Sequence, residues 1–103
     1  MSALAEKFTL NLSHARIRRA NLARANLTNA DLSYADLSGA ILRGANLKDT
    51  IFTGTILKGA DLTGASNLTP AQLSVAIVDD TTVLPPELKS EIDRQRSGRA
   101  GGA

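Results

Sequence analysis

A single histidine, His14, follows Ser13 in this chain of 103 residues. A hydroxyl beside an imidazole could act as nucleophile and base, provided a third group orients the ring. No such group stands nearby in sequence, and a lone His in a polar stretch is more often a surface residue. Asp79 and Asp80 form a carboxylate pair, yet no His or Cys accompanies them. Asp31, Asp36 and Asp61 recur at one phase of a repeated word, where turn-stabilising hydrogen bonds and solubility explain them. The spaced glycines of GAILRGANLKDTIFTG resemble a phosphate loop only superficially, because a five-residue period already sets their spacing. With no cysteine, disulfides and thiolate metal sites are excluded. The residues supply no catalytic group, metal set or cofactor motif, and the chain reads as non-enzymatic.

One charge cluster stands out. HARIRRANLAR carries Arg16, Arg18, Arg19 and Arg24. Such a cluster could form an anion-binding rim for nucleic acid or an anionic surface. No aromatic residues are interleaved with it as a stacking platform, which argues against nucleic acid. A solvated rim that discourages edge-to-edge pairing is the simpler reading.

The elements that position these residues follow from one pattern. In ANLARANLTNADLSYADL the word Ala, Asn or Asp, Leu returns every fifth residue, matching neither a helix nor a strand. The word centres are Leu12, Ile17, Leu22, Leu27, Leu32, Leu37, Leu42, Leu47, Phe52, Leu57 and Leu62, all large and apolar. Two places before each centre stands a small residue with few exceptions, and the other phases are mostly polar. Hydrophobic residues make up 43% of the chain but aromatics only 3%, so Leu and Ala must build the core. Three residues of strand-like alternation followed by a corner, repeated, wind into a solenoid. With right-angled corners, four words close one coil, and coils stack about 4.8 Å apart. Gly39, Gly44, Gly54, Gly59 and Gly64 share the phase two after the centre, where a type II corner needs positive φ. His14, Arg19, Arg24, Asn29 and Tyr34 hold that phase in the earlier words, and more varied corners are expected there.

The words ANLAR, ANLTN, ADLSY, ADLSG, ANLKD and ADLTG make residues 10–66 resemble the pentapeptide repeat family. The resemblance implies an all-β solenoid, a right-handed quadrilateral β-helix with the centres and small residues pointing inward. About three coils are expected, closed by a C-terminal α-helical cap. Four core columns follow: Leu12, Leu32 and Phe52; Ile17, Leu37 and Leu57; Leu22, Leu42 and Leu62; Leu27 and Leu47.

The organisation expected is an N-terminal cap over 1–9, with Leu4, Phe8 and Leu10 closing the first coil, then the repeat over 10–66. A helical cap follows over 67–96 and a disordered tail over 97–103. Within the cap, Thr69 reads as N-cap, Pro70 as first helical residue and Gln72 as capping-box partner. Leu73, Ala76 and Ile77 would share one face of that helix, and ELKSEIDRQR forms a second, with Leu88 and Ile92 on one side.

Ile41, Ile51 and Ile56 replace the outward Asn or Asp and mark an interface, unless the C-terminal segment folds over them. Partners expected are therefore proteins, including a second copy, since members of this family often self-associate. The resemblance also raises DNA mimicry toward DNA gyrase. Three coils give a rod of roughly 14 Å, which on duplex spacing wants about eight negative charges. The repeat offers Asp31, Asp36, Asp49 and Asp61 against Arg16, Arg18, Arg19, Arg24, Arg43, Lys48 and Lys58. The sign is wrong, and gyrase stays an alternative to the scaffold reading. No secretory signal or membrane-spanning run is visible, so a soluble, cytoplasmic protein is expected.

Overall fold

The computed structural model describes residues 10–92. Each outward residue of one coil pairs in parallel with the residue twenty places later: Asn11 with Asp31, Arg16 with Asp36, Asn21 with Ile41, Asn26 with Asn46. The same register continues from Asp31–Ile51 to Asn46–Ser66. Four five-residue words therefore make one coil, and the coil has four sides. The first side carries Asn11, Asp31 and Ile51; the second Arg16, Asp36 and Ile56; the third Asn21, Ile41 and Asp61; the fourth Asn26, Asn46 and Ser66. Each rung has one bridged residue per side, so no side grows into a long strand.

Two hydrogen bonds define each side. Leu32 N–H donates to Ile51 O at 3.0 Å, and Ile51 N–H to Ala30 O at 2.9 Å. A third closes the corner, as where Ala35 N–H reaches Leu32 O at 3.0 Å. The third residue of each corner has positive φ whether or not it is Gly: His14 63°, Arg19 59°, Arg24 62°, Asn29 63° and Tyr34 60°, against Gly39 at 68°. The more varied geometry expected of the early corners is therefore incorrect. Pairing with the next coil through His14 N–H and Ser33 O, at 2.8 Å, holds the early corners in the same shape. Left-handed backbone costs a non-Gly residue about 1 kcal/mol or more, and the ladder offsets it.

The core lies where the pattern places it. From Leu27 to Leu62 every centre is buried, and the alternate positions hold Ala30, Ala35, Ala40, Ala45 and Ala60. Thr50 and Thr55 break the Ala series but lose no hydrogen bond, because their hydroxyls donate to Leu27 O at 2.7 Å and Leu32 O at 2.6 Å. Leu12, Ile17 and Leu22 in the first coil are only partly buried and pack against the core from one side.

The C-terminal cap is only partly helical. Helix α1, Pro70–Ser74, starts as expected, with Thr69 as N-cap and Gln72 completing the capping box. Gln72 Nε2 also donates to Leu47 O at 2.8 Å and Thr50 O at 3.0 Å, tying the helix to the open coil. The helix then stops, and Ala76 and Ile77 do not lie on a helical face with Leu73. Ile77 instead bridges Ile56 on the second side, and Val83 bridges Asp61 on the third. The reason is the edge left by the last coil. Thr55 O accepts from Ile77 N–H and Ile77 O from Leu57 N–H, both at 2.8 Å. A β-branched segment satisfies those groups better as a further rung than as helix. A second helix, α2, spans the described residues 86–92 and buries Leu88, with Ile92 partly buried. The expected cap over residues 1–9, including Leu4 and Phe8, and the tail over 97–103 lie outside the described residues.

Leu37 is fully buried in the second core column. Leu37→Ala should lower stability by about 2–5 kcal/mol, read by urea or thermal unfolding; an unchanged midpoint would contradict the inward register.

Candidate interaction surface

The outward positions of the word lock the turns before they do anything else. Asp31 Oδ1 accepts Ser33 N–H at 2.9 Å and the Ser33 hydroxyl at 2.6 Å. The same pair of bonds recurs from Ser38 to Asp36 and from Thr63 to Asp61. Asn26 accepts the same two from Thr28, and Asp79 from Thr81. An Asx turn thus explains why the word prefers Asn or Asp before its centre. These hydroxyl bonds, followed by the backbone ones, hold the carboxyls of Asp31, Asp36 and Asp61 below the usual carboxylate range, and Asp79 follows suit with Thr81 as its main donor.

The residues considered for chemistry do not assemble. Ser13 gives its hydroxyl to Asn11 Oδ1 at 2.7 Å, not to His14. The His14 ring stacks on Tyr34 at 5.3 Å between centroids and 18° between planes. Asp79 is engaged in its own turn, accepting the Thr81 N–H and hydroxyl. Among the described residues, no group of three or more His, Cys, Asp or Glu is placed to hold a metal ion.

The four arginines separate into roles. Arg18 Nε meets Asp36 Oδ2 at 2.8 Å on the next coil, and Arg43 Nη1 meets Asp61 Oδ2 at 3.0 Å in the same way. Arg16 occupies the second side directly above Asp36 in the ladder. Arg19 and Arg24 sit at corners, where their stems lie over Gly39 and Gly44; a Cβ there would stand 3.3 and 3.4 Å from the Cγ atoms above. The corner residue of one coil therefore covers the corner of the next. The aromatic pair at the first corner had no counterpart in the sequence reading. His14, Tyr34 and Gly54 are twenty residues apart in one phase, so the coil length alone would have exposed the column.

Of the three isoleucines, Ile41 is 38% and Ile51 44% exposed, while Ile56 is half-buried. Residues 67–92 of the C-terminal segment do not fold over them. The segment adds Ile77, 43% exposed, as the next rung beside Ile56. Apolar side chains thus occupy the C-terminal end of the first and second sides, below the polar Asn11, Asp31, Arg16 and Asp36.

The family described as pentapeptide repeats (8 copies) matches residues 11–44 and 30–69. The chain belongs to the pentapeptide repeat family. Among solved structures it is similar to the pentapeptide repeat protein Rfr23 of the cyanobacterium Cyanothece 51142. The identity is 32% and the TM-score 0.57, over 72% of this chain and 53% of that one. The chain thus spans about half the length of Rfr23. It is also similar to alr5209, a pentapeptide repeat protein of Nostoc PCC 7120, at 31% identity and a TM-score of 0.31, over 82% and 84% of the two chains. HetL of Nostoc sp. PCC 7120, involved in heterocyst differentiation regulation, matches at 23% identity and a TM-score of 0.35, over 73% of this chain and 45% of its own. No curated protein matches. No helix among the described residues is long and apolar enough to cross a membrane.

Two predictions follow from the turns. Carboxyls held below their ordinary value of 3.8 stabilise the fold above that pH, and the contribution is lost as pH falls through the lowered values. Thermal midpoints should therefore drop in acid below about pH 4, and Ser33→Ala/Ser38→Ala/Thr63→Ala should drop less between pH 7 and pH 3. An identical acid loss in the triple variant would remove the Asx turns as its cause. Separately, a Cβ on Gly54 would lie 2.5 Å from Tyr34 Cδ1, whereas one on Gly64 meets nothing nearer than 3.8 Å. Both have positive φ, so Gly64→Ala should cost about 1 kcal/mol and Gly54→Ala clearly more. In a Tyr34→Ala background the two costs should converge.

Proposed function

We propose that this protein is a non-catalytic scaffold and protein-interaction module, built as a right-handed quadrilateral β-helix. The observation that carries the reading is the apolar strip of Ile51, Ile56 and Ile77, in columns where the repeat otherwise sets Asn, Asp or Arg. Polar outward residues cost the fold nothing and lock the turns, so giving them up for Ile at adjacent rungs needs a compensating contact. A neighbouring protein surface supplies one. The flat, regular sides are rigid, so little ordering cost is incurred on docking. A cysteine-free chain of this kind suits the reducing cytoplasm.

The DNA-mimic reading loses ground on charge placement. Asp36 and Asp61, two of the outward carboxylates, are each paired with an arginine from their own chain. A duplex-like acidic surface needs them unpaired. Anion binding at the rim is likewise reduced, since Arg18 is engaged with Asp36.

Affinity capture from a cell extract, comparing the native chain with Ile51→Asp/Ile56→Asp, tests the reading. A protein retained by the native chain should be lost by the variant while Arg16→Ala/Arg19→Ala retains it. Capture that depends on the arginines and not on the isoleucines would sink the apolar-strip assignment. In a gyrase supercoiling assay the chain should have no effect; inhibition without binding to free DNA would instead establish mimicry.

A further inference from the structure

Charge is distributed along the axis of the stack. Residues 11–30 contain four arginines and no carboxylate. In residues 71–92, four carboxylates (Asp79, Asp80, Glu87 and Glu91) stand against Lys89 alone. The third side concentrates this asymmetry at both of its corners. One corner runs Arg19, Gly39, Gly59 and then the turn at Asp79–Thr81, whose Thr81 hydroxyl lies 3.6 Å from the Cβ position of Gly59. The other runs Arg24, Gly44 and Gly64, beside a cleft of about 410 Å³ that Gly64 and Glu87 line together. Each edge of the side therefore goes from an arginine end, over two glycines, to a carboxylate-bearing end; the cations between are Lys58, beside Gly59, and Arg43, beside Gly44 and paired with Asp61. Between the edges lie Asn21, Ile41, Asp61 and Val83, with Ile41 38% and Val83 47% exposed. Among the described residues the ion pairs are Arg18–Asp36 and Arg43–Asp61, so Arg19, Arg24, Asp80 and Glu87 are in neither.

We propose that the third side is a self-complementary surface that takes a second copy of this chain, side by side and antiparallel. A two-fold axis across the side places Arg19 and Arg24 of one copy toward Asp80 and Glu87 of the other, twice over. A parallel pairing sets Arg against Arg and acid against acid, and charge selects against it. The glycine corners let the two flat sides approach, with Ile41 and Val83 as the apolar contact. The contact is three rung steps tall, roughly 14 Å, and belongs to the weak, salt-sensitive class of interfaces. This goes beyond the proposed partner-docking strip, since it uses a different side and leaves Ile51 and Ile56 free.

Sedimentation equilibrium of the full chain at submillimolar concentration tests it. At low salt a closed dimer is expected; near 1 M salt, where the screening length falls to about 3 Å, it should dissociate. Arg19→Glu/Arg24→Glu and Asp80→Lys/Glu87→Lys should each weaken the dimer at least about tenfold. Mixing the two variants should restore it, because both contacts then pair opposite charges. Ile41→Glu should abolish the dimer, and Ile51→Glu/Ile56→Glu should leave it intact. A native chain that stays monomeric at low salt overturns the proposal. So does a dimer lost with Ile51 and Ile56 but not with Ile41, or growth past two copies, which would mean end-to-end stacking. Capture that survives Ile51→Asp/Ile56→Asp, with the dimer intact, would count against the proposed function alone.

Discussion

Backbone pairing between residues twenty apart is the constraint on which the other features rest. Each word contributes up to three hydrogen bonds to the next coil, two along the side and one at the corner, so a word of any other length would carry its neighbours out of register. Three consequences follow. The centres must be large and the residue two earlier small, because four sides converge on one narrow interior. The corner must take a left-handed residue even where the sequence supplies His14 or Arg19. The outward position becomes a turn-locking acceptor wherever nothing else is asked of it. Stability is then a sum of similar rungs, and the weak points are the two ends.

The ends are handled differently. At the C-terminal end the chain satisfies the edge with its own backbone, one helix and two further bridged residues, Ile77 and Val83. That solution extends the apolar strip on the second side and places carboxylates at the end of the corners. The first coil keeps three of its four centres, Leu12, Ile17 and Leu22, only partly buried and carries its four arginines without acid. An axial gradient of charge and of apolar exposure results from how the ends are finished, not from the repeat itself.

Function has to be sought in departures from the repeat, because the repeat spends most positions on the coil. Ile41, Ile51 and Ile56 are such departures. So are the paired glycines that follow Arg19 and Arg24 at two corners, where the other two carry His14, Tyr34 and Gly54, or Asn29 and Asp49. On the proposed reading, the apolar strip and the third side are where a four-sided stack of this kind would dock protein partners. Its fold leaves the identity of those proteins open to the chemistry of the sides.

The five-residue period, the eleven centres, the break at Asn67 and the Thr69–Gln72 capping box were legible in the amino acids, because each is a local pattern of size, polarity and turn chemistry. The fate of Ala76 and Ile77 was not. Read locally, they extend a helix; in the fold, an open edge offering Thr55 O and the Leu57 N–H takes Ile77 as a rung. The same limit hid the Arg18–Asp36 pair and the His14–Tyr34 stack, whose members are 18 and 20 residues apart and meet only after a coil has closed. Local periodicity determined what each residue faces, inward, outward or corner. The twenty-residue register and its core columns followed from four words per coil. The tertiary structure alone decided which outward side chains engage across coils and what the open edge recruits, since neither is contained in any single word.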